Sequence, residues 1–201
     1  MDTFEAIRTR RAVKHYDPNH VMPAEQIDEL LGLAMLSPTS FNIQHWRFVA
    51  VTDPDVRQQI RAAAWDQAHV SESSLLIVMT ADVKAWEKEA ERYWKDAPDH
   101  ARDMLVPMIG PFYAGKEQLE RDEAMRSMGI AAQTIMLAAR AMELDSCPMI
   151  GFDHEKVADI INLPHDYAVG LLITVGKAVK PAWPRPGQLP MDHVVVRDKF
   201  D

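Results

Sequence analysis

The sequence predicts one domain in which helices and strands are mixed. Apolar runs of strand length stand at Phe48–Thr52, Ser74–Ala81 and Ala168–Gly176. Between them lie longer stretches of helical periodicity, the longest from Glu117 to Leu144. With 201 residues, 47% hydrophobic and 26% charged, the chain has the size and balance of one globular domain spanning residues 1–201, with room for an excursion.

Phe4, Ala6 and Ile7 begin a short helix that runs into a basic cluster, Arg8, Arg10, Arg11 and Lys14. Arg10 and Lys14, four apart, would share one helical face. Tyr16-Asp17-Pro18 breaks this helix, and Pro23-Ala24-Glu25 opens a second, with Pro in its first turn and Ile27, Leu30, Leu31, Leu33 and Ala34 as its apolar positions. The connection that follows, Ser37-Pro-Thr-Ser-Phe-Asn-Ile-Gln-His-Trp46, is too rich in hydroxyls and amides for a bare linker. Pro38, Thr39, Ser40, Asn42 and Gln44 suit the edge of a polar, planar ligand; an ordinary turn capped by a core Trp would use the same residues.

After the strand at 48–52, Asp53 caps and Pro54 opens a helix reaching about Trp65. From Val83 to Lys116 the pattern weakens, with Pro98, Pro107 and Pro111 among charged and aromatic residues. This reads as a mobile excursion with one helix over 84–95, serving either as a lid or as a cover for apolar surface. The 117–144 segment reads as a buried central helix, whose small residues (Gly129, Ala131, Ala132, Ala138, Ala139, Ala141) admit a close neighbour. Asp153 caps a helix to Ile161, the tail from Pro181 to Pro190 is extended, and Val194–Val196 is a candidate final strand.

A net charge of -8 disfavours nucleic acid as a partner. One cysteine excludes an intramolecular disulfide framework and a cysteine-based zinc site, and Cys147 reads as a small buried thiol. The amino-terminal residues lack an apolar signal core and no apolar run approaches the ~20 residues of a membrane span, so a cytoplasmic protein is expected. No two glycines are two apart, so neither a Rossmann fingerprint nor a P-loop is present. No His-x-x-x-His pair and no Gly-x-Ser-x-Gly elbow occurs, and no metal is expected.

What remains is a set of separated pieces suited to a phosphorylated, flat cofactor. Arg10, Arg11 and Lys14 supply cations, Pro184-Arg185-Pro186 holds another on a stiff strut, and Pro148-Met-Ile-Gly151 brackets backbone N–H groups with Pro and Gly. Arg10-Arg11-Ala-Val-Lys14, then Ser37 to Trp46, Gln67 ahead of a strand, Pro148-Met-Ile-Gly-Phe-Asp153 and Arg185, in that order, resemble the nitroreductase family of FMN-dependent oxidoreductases. The resemblance spans nearly the whole chain. It implies an α+β fold with a central, mainly antiparallel sheet flanked by helices, in a domain-entwined homodimer with FMN at the interface.

By the same resemblance, Arg10, Arg11 and Lys14 would hold the ribityl phosphate and the pyrimidine side of the flavin, with Arg185, and Lys177 in support, returning to the phosphate. Pro38, Thr39, Ser40, Asn42 and Gln44 would reach the FMN of the other subunit, and Gln67 the polar edge of the ring. The Pro148, Met149, Ile150 and Gly151 backbone would lie over the ring, with an N–H addressing N5. Three positions depart from the family pattern: Ala12 replaces a common Ser, His45 a common Pro, which would loosen the loop, and Ile150 a residue often acidic or Gly. NADH or NADPH would deliver hydride to N5 and leave before a nitroaromatic or quinone acceptor takes its place. No side-chain acid or base is required, and the 83–116 excursion would set substrate choice. Two rivals stay open: reductive dehalogenation or flavin fragmentation on the same scaffold, and a non-catalytic FMN-binding protein.

Overall fold

The computed structural model describes residues 1–200. Eight helices are numbered in chain order: α1 Thr3–Thr9, α2 Ala24–Ala34, α3 Pro54–Ala63, α4 His69–Glu72, α5 Asp99–Tyr113, α6 Glu117–Ala141, α7 His154–Ile160 and α8 Met191–Val194. Four strands, β1 Trp46–Val51, β2 Leu75–Asp82, β3 Asp145–Met149 and β4 Tyr167–Gly176, form one sheet in the order β1-β2-β4-β3. Every pairing between them is antiparallel. The result is an α+β fold with helices on both faces.

Every residue of β2 is buried, which is why Leu75–Met79 is a continuous apolar run rather than an alternation. Leu75, Ile77, Met79 and Ala81 pack on α2 and α6, whereas Leu76 and Val78 join Ile60 of α3 and Val157 of α7. Each of these side chains larger than alanine contributes roughly 1.5–3 kcal/mol by leaving water. At Gly170 of β4 a Cβ would stand 2.5 Å from the Met128 sulfur, so the missing side chain lets α6 lie close on the sheet. The caps at Asp53 and Asp153 form as the sequence predicts, Asp53 accepting the N–H groups of Asp55 and Val56 and Asp153 that of Lys156.

Four elements differ from the sequence reading. Helix α1 stops at Thr9, so Arg10 and Lys14 do not share a helical face. Val13 and Tyr16, both buried, draw this segment out straight: Ala12 bridges Ser146 in parallel and Tyr16 bridges Ala178. The two-residue period of extended chain then sets Arg10, Ala12 and Lys14 on one side. Second, α6 ends at Ala141, and after a left-handed Glu143 (φ 60) the chain enters β3, a strand hidden in sequence by Asp145, Ser146 and Pro148. Third, residues 84–95 form only two 3-10 turns, Ala85–Glu87 and Ala90–Trp94, and the helix of the excursion is α5. It carries Pro107 and Pro111 inside it, because Ile109 and Tyr113 bury themselves with Ile43, Ala85 and Trp86. Fourth, Val194–Val196 pairs with no strand among the described residues; α8 begins at Met191 instead.

The excursion is also tied by charge. Lys88 Nζ reaches both Asp82 and Asp166, and Lys84 Nζ reaches Glu120, with the Asp82 and Glu120 side chains only 1% and 2% exposed. No helix is long and apolar enough to cross a membrane, and no cluster of metal-ligating side chains occurs among the described residues.

Candidate functional site

The extended 10–16 segment and the proline-rich tail face one another across a cavity of about 410 Å³. Arg10, Arg11, Ala12 and Lys14 line one wall and Trp183 and Arg185 the other. The Arg11 guanidinium donates to the Trp183 carbonyl, and Arg185 Nη2 lies 3.4 Å from the Arg8 carbonyl oxygen and 3.3 Å from that of Arg10. Among the described residues, none of these four cations forms an ion pair with a carboxylate. Burial, and then the charges of Arg185 and Arg11, hold Arg10 below the ordinary arginine pKa. A cluster of like charge with no counter-ion is a place prepared for an anion.

Two buried groups sense the same field. His69 is pushed down to about 4 by burial, then by Lys14 and His15. Burial raises the Cys147 thiol, while Lys14 and Arg10 act the other way. The Val13 N–H donates to the Ser146 carbonyl at 3.1 Å, so the 10–14 segment runs beside β3, whose chain continues into the Pro148–Gly151 segment. The Met149 side chain belongs to the core, so only its backbone can face a ligand. Ile150 is 74% exposed. Neither the Ile150 nor the Gly151 N–H meets an acceptor among the described residues. Gln67 Nε2 donates to the Gly151 carbonyl at 2.9 Å and to that of Ala64 at 3.1 Å. That amide nitrogen is thus engaged with the protein.

The 37–45 loop is braced from within. Thr39 Oγ1 accepts the Gln44 N–H (2.9 Å), Asn42 Nδ2 donates to the Tyr93 carbonyl (2.7 Å), and Gln44 Nε2 lies 3.3 Å from the Asn42 carbonyl oxygen. Phe41, Asn42 and Gln44 are all left-handed, and Trp94 Nε1 fixes the Phe41 carbonyl at 2.9 Å. His45 does not loosen this loop. It is fully buried, its carbonyl accepts the Asp82 N–H at 2.8 Å, and its Nδ1 lies 3.3 Å from Ser127 Oγ.

Burial pushes His45 down to about 4, against smaller opposing effects of Glu123 and Asp82; Arg47 adds to the lowering. Since the folded value lies below the ordinary one, protons favour the unfolded chain. The stability that neutral His45 secures is complete above pH ~6.5 and falls away toward pH 4, by about 3 kcal/mol. Urea midpoints measured between pH 7 and 4 should fall less steeply for His45→Asn than for the unaltered protein. Parallel curves would show that His45 does not titrate in this way.

The loop and the cationic cavity lie at opposite corners of the sheet. The 10–14 segment lies outside β3, whereas the loop feeds β1 at the far edge. Trp46 is in register with Ala168 through Ala81, and Ser146 with Val175. Four strand spacings and seven residues of β4 put the two regions roughly 30 Å apart. Arg10, Arg11, Ala12, Lys14 and Arg185 are brought together, and Gln67 meets the Pro148–Gly151 segment, but Pro38, Thr39, Ser40, Asn42 and Gln44 are not part of that group. Lys177 donates to the Glu143 carbonyl at 3.0 Å and does not line the cavity. Trp65 and His69 are additions that the sequence reading lacked, although an aromatic two residues before Gln67 was visible.

Comparison with known proteins identifies the family. Residues 7–177 match the model of the nitroreductase family. The chain is 49% identical over 204 residues to protein DrgA of Synechocystis sp., covering 99% of this chain and 97% of that one. It is 28% identical to an oxygen-insensitive NADPH nitroreductase of Helicobacter acinonychis, over 95% of this chain and 94% of the relative. A protein of Exiguobacterium sibiricum, solved in complex with FMN, superposes with a TM-score of 0.92 at 28% identity, covering 98% and 97% of the two chains. With the fold, the ordered motifs and these matches in agreement, the chain belongs to the nitroreductase family.

Proposed function

We propose that two copies of this chain hold two FMN molecules between them and move hydride from NADH or NADPH to nitroaromatic or quinone-type acceptors in a ping-pong cycle. The broader statement, an FMN-dependent NAD(P)H oxidoreductase, follows from the family. One observation carries the reading: four cations without a carboxylate partner share a cavity whose 10–14 wall runs beside β3, and the two residues that follow β3 carry backbone N–H groups without an acceptor. The donor set fits the cofactor. Arg10, Arg11 and Arg185 would take the phosphate, whose nearly two negative charges suit guanidinium forks. Lys14 would bring positive charge to the pyrimidine side, favouring negative charge there. The Ile150 and Gly151 N–H groups would donate toward N5, and Ala12 leaves the cavity wall without a side-chain hydroxyl. Bound FMN would supply the redox chemistry, accepting a hydride at N5 and releasing it to the acceptor.

The second subunit enters through distance. Pro38, Thr39, Ser40, Asn42 and Gln44 stand too far from the cations to share one flavin within a chain. Phe4 and Ile7 on α1, Ile130 on α6 and Met191 and Val194 on α8 are exposed apolar surface that a partner copy would cover.

Stopped-flow mixing with NADH and NADPH should bleach the flavin band of the loaded protein. FMN binding without bleaching would leave a flavin-storage protein instead. For the composite site, an Arg10→Ala chain mixed with an Asn42→Ala chain should regain one intact site per heterodimer, since both lesions then share one site. FMN should also hold the dimer together at dilutions where the apoprotein dissociates, by about 2.7 kcal/mol at a hundredfold excess over Kd. A monomer that binds FMN with full affinity would rule the arrangement out.

A further inference from the structure

A side chain at Gly151 would collide with the indole of Trp65. A Cβ there would stand 2.8 Å from Cζ3 of Trp65, 3.5 Å from its Cε3 and 3.7 Å from Gln67 Nε2. Trp65 itself is 70% exposed, and its backbone (φ 53) and that of Asp66 (φ 57) are left-handed. This conformation is uncommon and unfavourable for large side chains, and an indole so exposed recovers little by burial. The turn is nonetheless held firmly. Arg61 Nε meets Asp66 Oδ1 at 2.6 Å, and the Asp66 N–H donates to the Arg61 carbonyl at 3.0 Å.

The turn grips the segment opposite at three points. The indole lies against Gly151, Gln67 Nε2 holds the Gly151 carbonyl, and the Asp153 N–H donates to the Ala63 carbonyl at 2.9 Å. The gripped segment carries the two unpartnered N–H groups. We propose that Trp65, with Gln67, is a positioning residue for hydride transfer: its ring occupies the space beside the Gly151 Cα and fixes the direction of the Ile150 and Gly151 N–H groups. This rests on the reading that those groups face FMN. It gives Gly151 a steric reason, since any side chain there displaces the ring. It also gives Gln67 a role through the protein, because its amide nitrogen is committed to the Gly151 carbonyl. Misaiming a preorganised donor harms rate far more than affinity, because the phosphate cluster still anchors the cofactor.

The test compares FMN-loaded wild type with Trp65→Ala, Trp65→Phe, Gly151→Ala and the Trp65→Ala/Gly151→Ala double variant. Flavin reduction by NADH is followed by stopped flow, FMN affinity by fluorescence and the flavin midpoint potential by spectroscopic titration. Trp65→Ala should slow flavin reduction at least about tenfold and move the midpoint more negative, with the FMN Kd within about threefold. Trp65→Phe, which keeps a ring, should stay within about threefold of wild type throughout. Gly151→Ala alone should be slower still, and adding Trp65→Ala should recover part of that loss because the new methyl then has space. If Gly151→Ala does not fold, the Ala and Phe variants at Trp65 decide the matter through the midpoint potential. A Trp65→Ala protein with unchanged potential and unchanged reduction rate overturns the proposal. So does one whose rate falls only in step with FMN affinity, a merely structural effect. A wild type that binds no FMN overturns the flavin reading beneath it as well, and shows this before any variant is compared.

Discussion

Replacing Arg10 by Ala is expected to weaken FMN binding by roughly ten- to a hundredfold while scarcely affecting riboflavin. A charge-assisted hydrogen bond to phosphate contributes ~1.5–3 kcal/mol, which is one to two powers of ten in Kd. Arg10 is the cation of the group whose pKa burial and its neighbours Arg185 and Arg11 already depress, so an anion there relieves repulsion as well as making a bond. Riboflavin lacks the phosphate and should not register the change. Fluorescence titration of both ligands against both proteins decides it. Equal weakening of the two would place Arg10 away from the phosphate.

The second large effect is expected at Lys88. Removing its ammonium with Lys88→Ala leaves the Asp82 carboxylate, 1% exposed, with the Lys84 N–H at 3.1 Å as its remaining donor. Breaking a buried pair from one side costs about 3–5 kcal/mol, and the lower end applies because Lys88 itself reaches solvent. For a chain of this size that corresponds to a fall in Tm of about 10 °C. Adding Asp82→Asn to the same chain removes the stranded charge and should recover more than half of the loss. If the single and double variants melt alike, the ion pair is not what holds the 85–113 excursion on the sheet.

The contrast between what could and could not be read from the chain has a physical origin. β2 was legible because a strand covered on both faces is apolar at nearly every position, β1 and β4 because each carries an apolar run of strand length, and the caps at Asp53 and Asp153 because one side chain suffices to make them. β3 was not, since Asp145, Ser146 and Pro148 owe their strand geometry to β4 on one side and Ala12 on the other. α5 escaped notice for the same reason. Its two prolines argue against a helix locally, and burial of Ile109 and Tyr113 outweighs them. Charge type and order marked Arg10, Arg11, Lys14 and Arg185 as a group, although the helix assumed for Arg10 and Lys14 is an extended segment. Trp65 could not be identified, because the contact that gives it meaning is made across the fold with a residue that has no side chain.

The cationic cavity has walls from the two ends of the covalent sequence, the 10–15 segment on one side and residues 181–188 on the other. On a ribosome the first wall emerges early, and the second only after all four strands have been synthesised. A nascent chain can therefore build its sheet and bury its core before the second wall of the cavity exists. Closing a contact across more than 170 residues is slow and entropically costly, so it belongs among the last events of folding. The cavity would then be completed late in folding, and a chain truncated before Arg185 should keep its core while lacking one cationic wall.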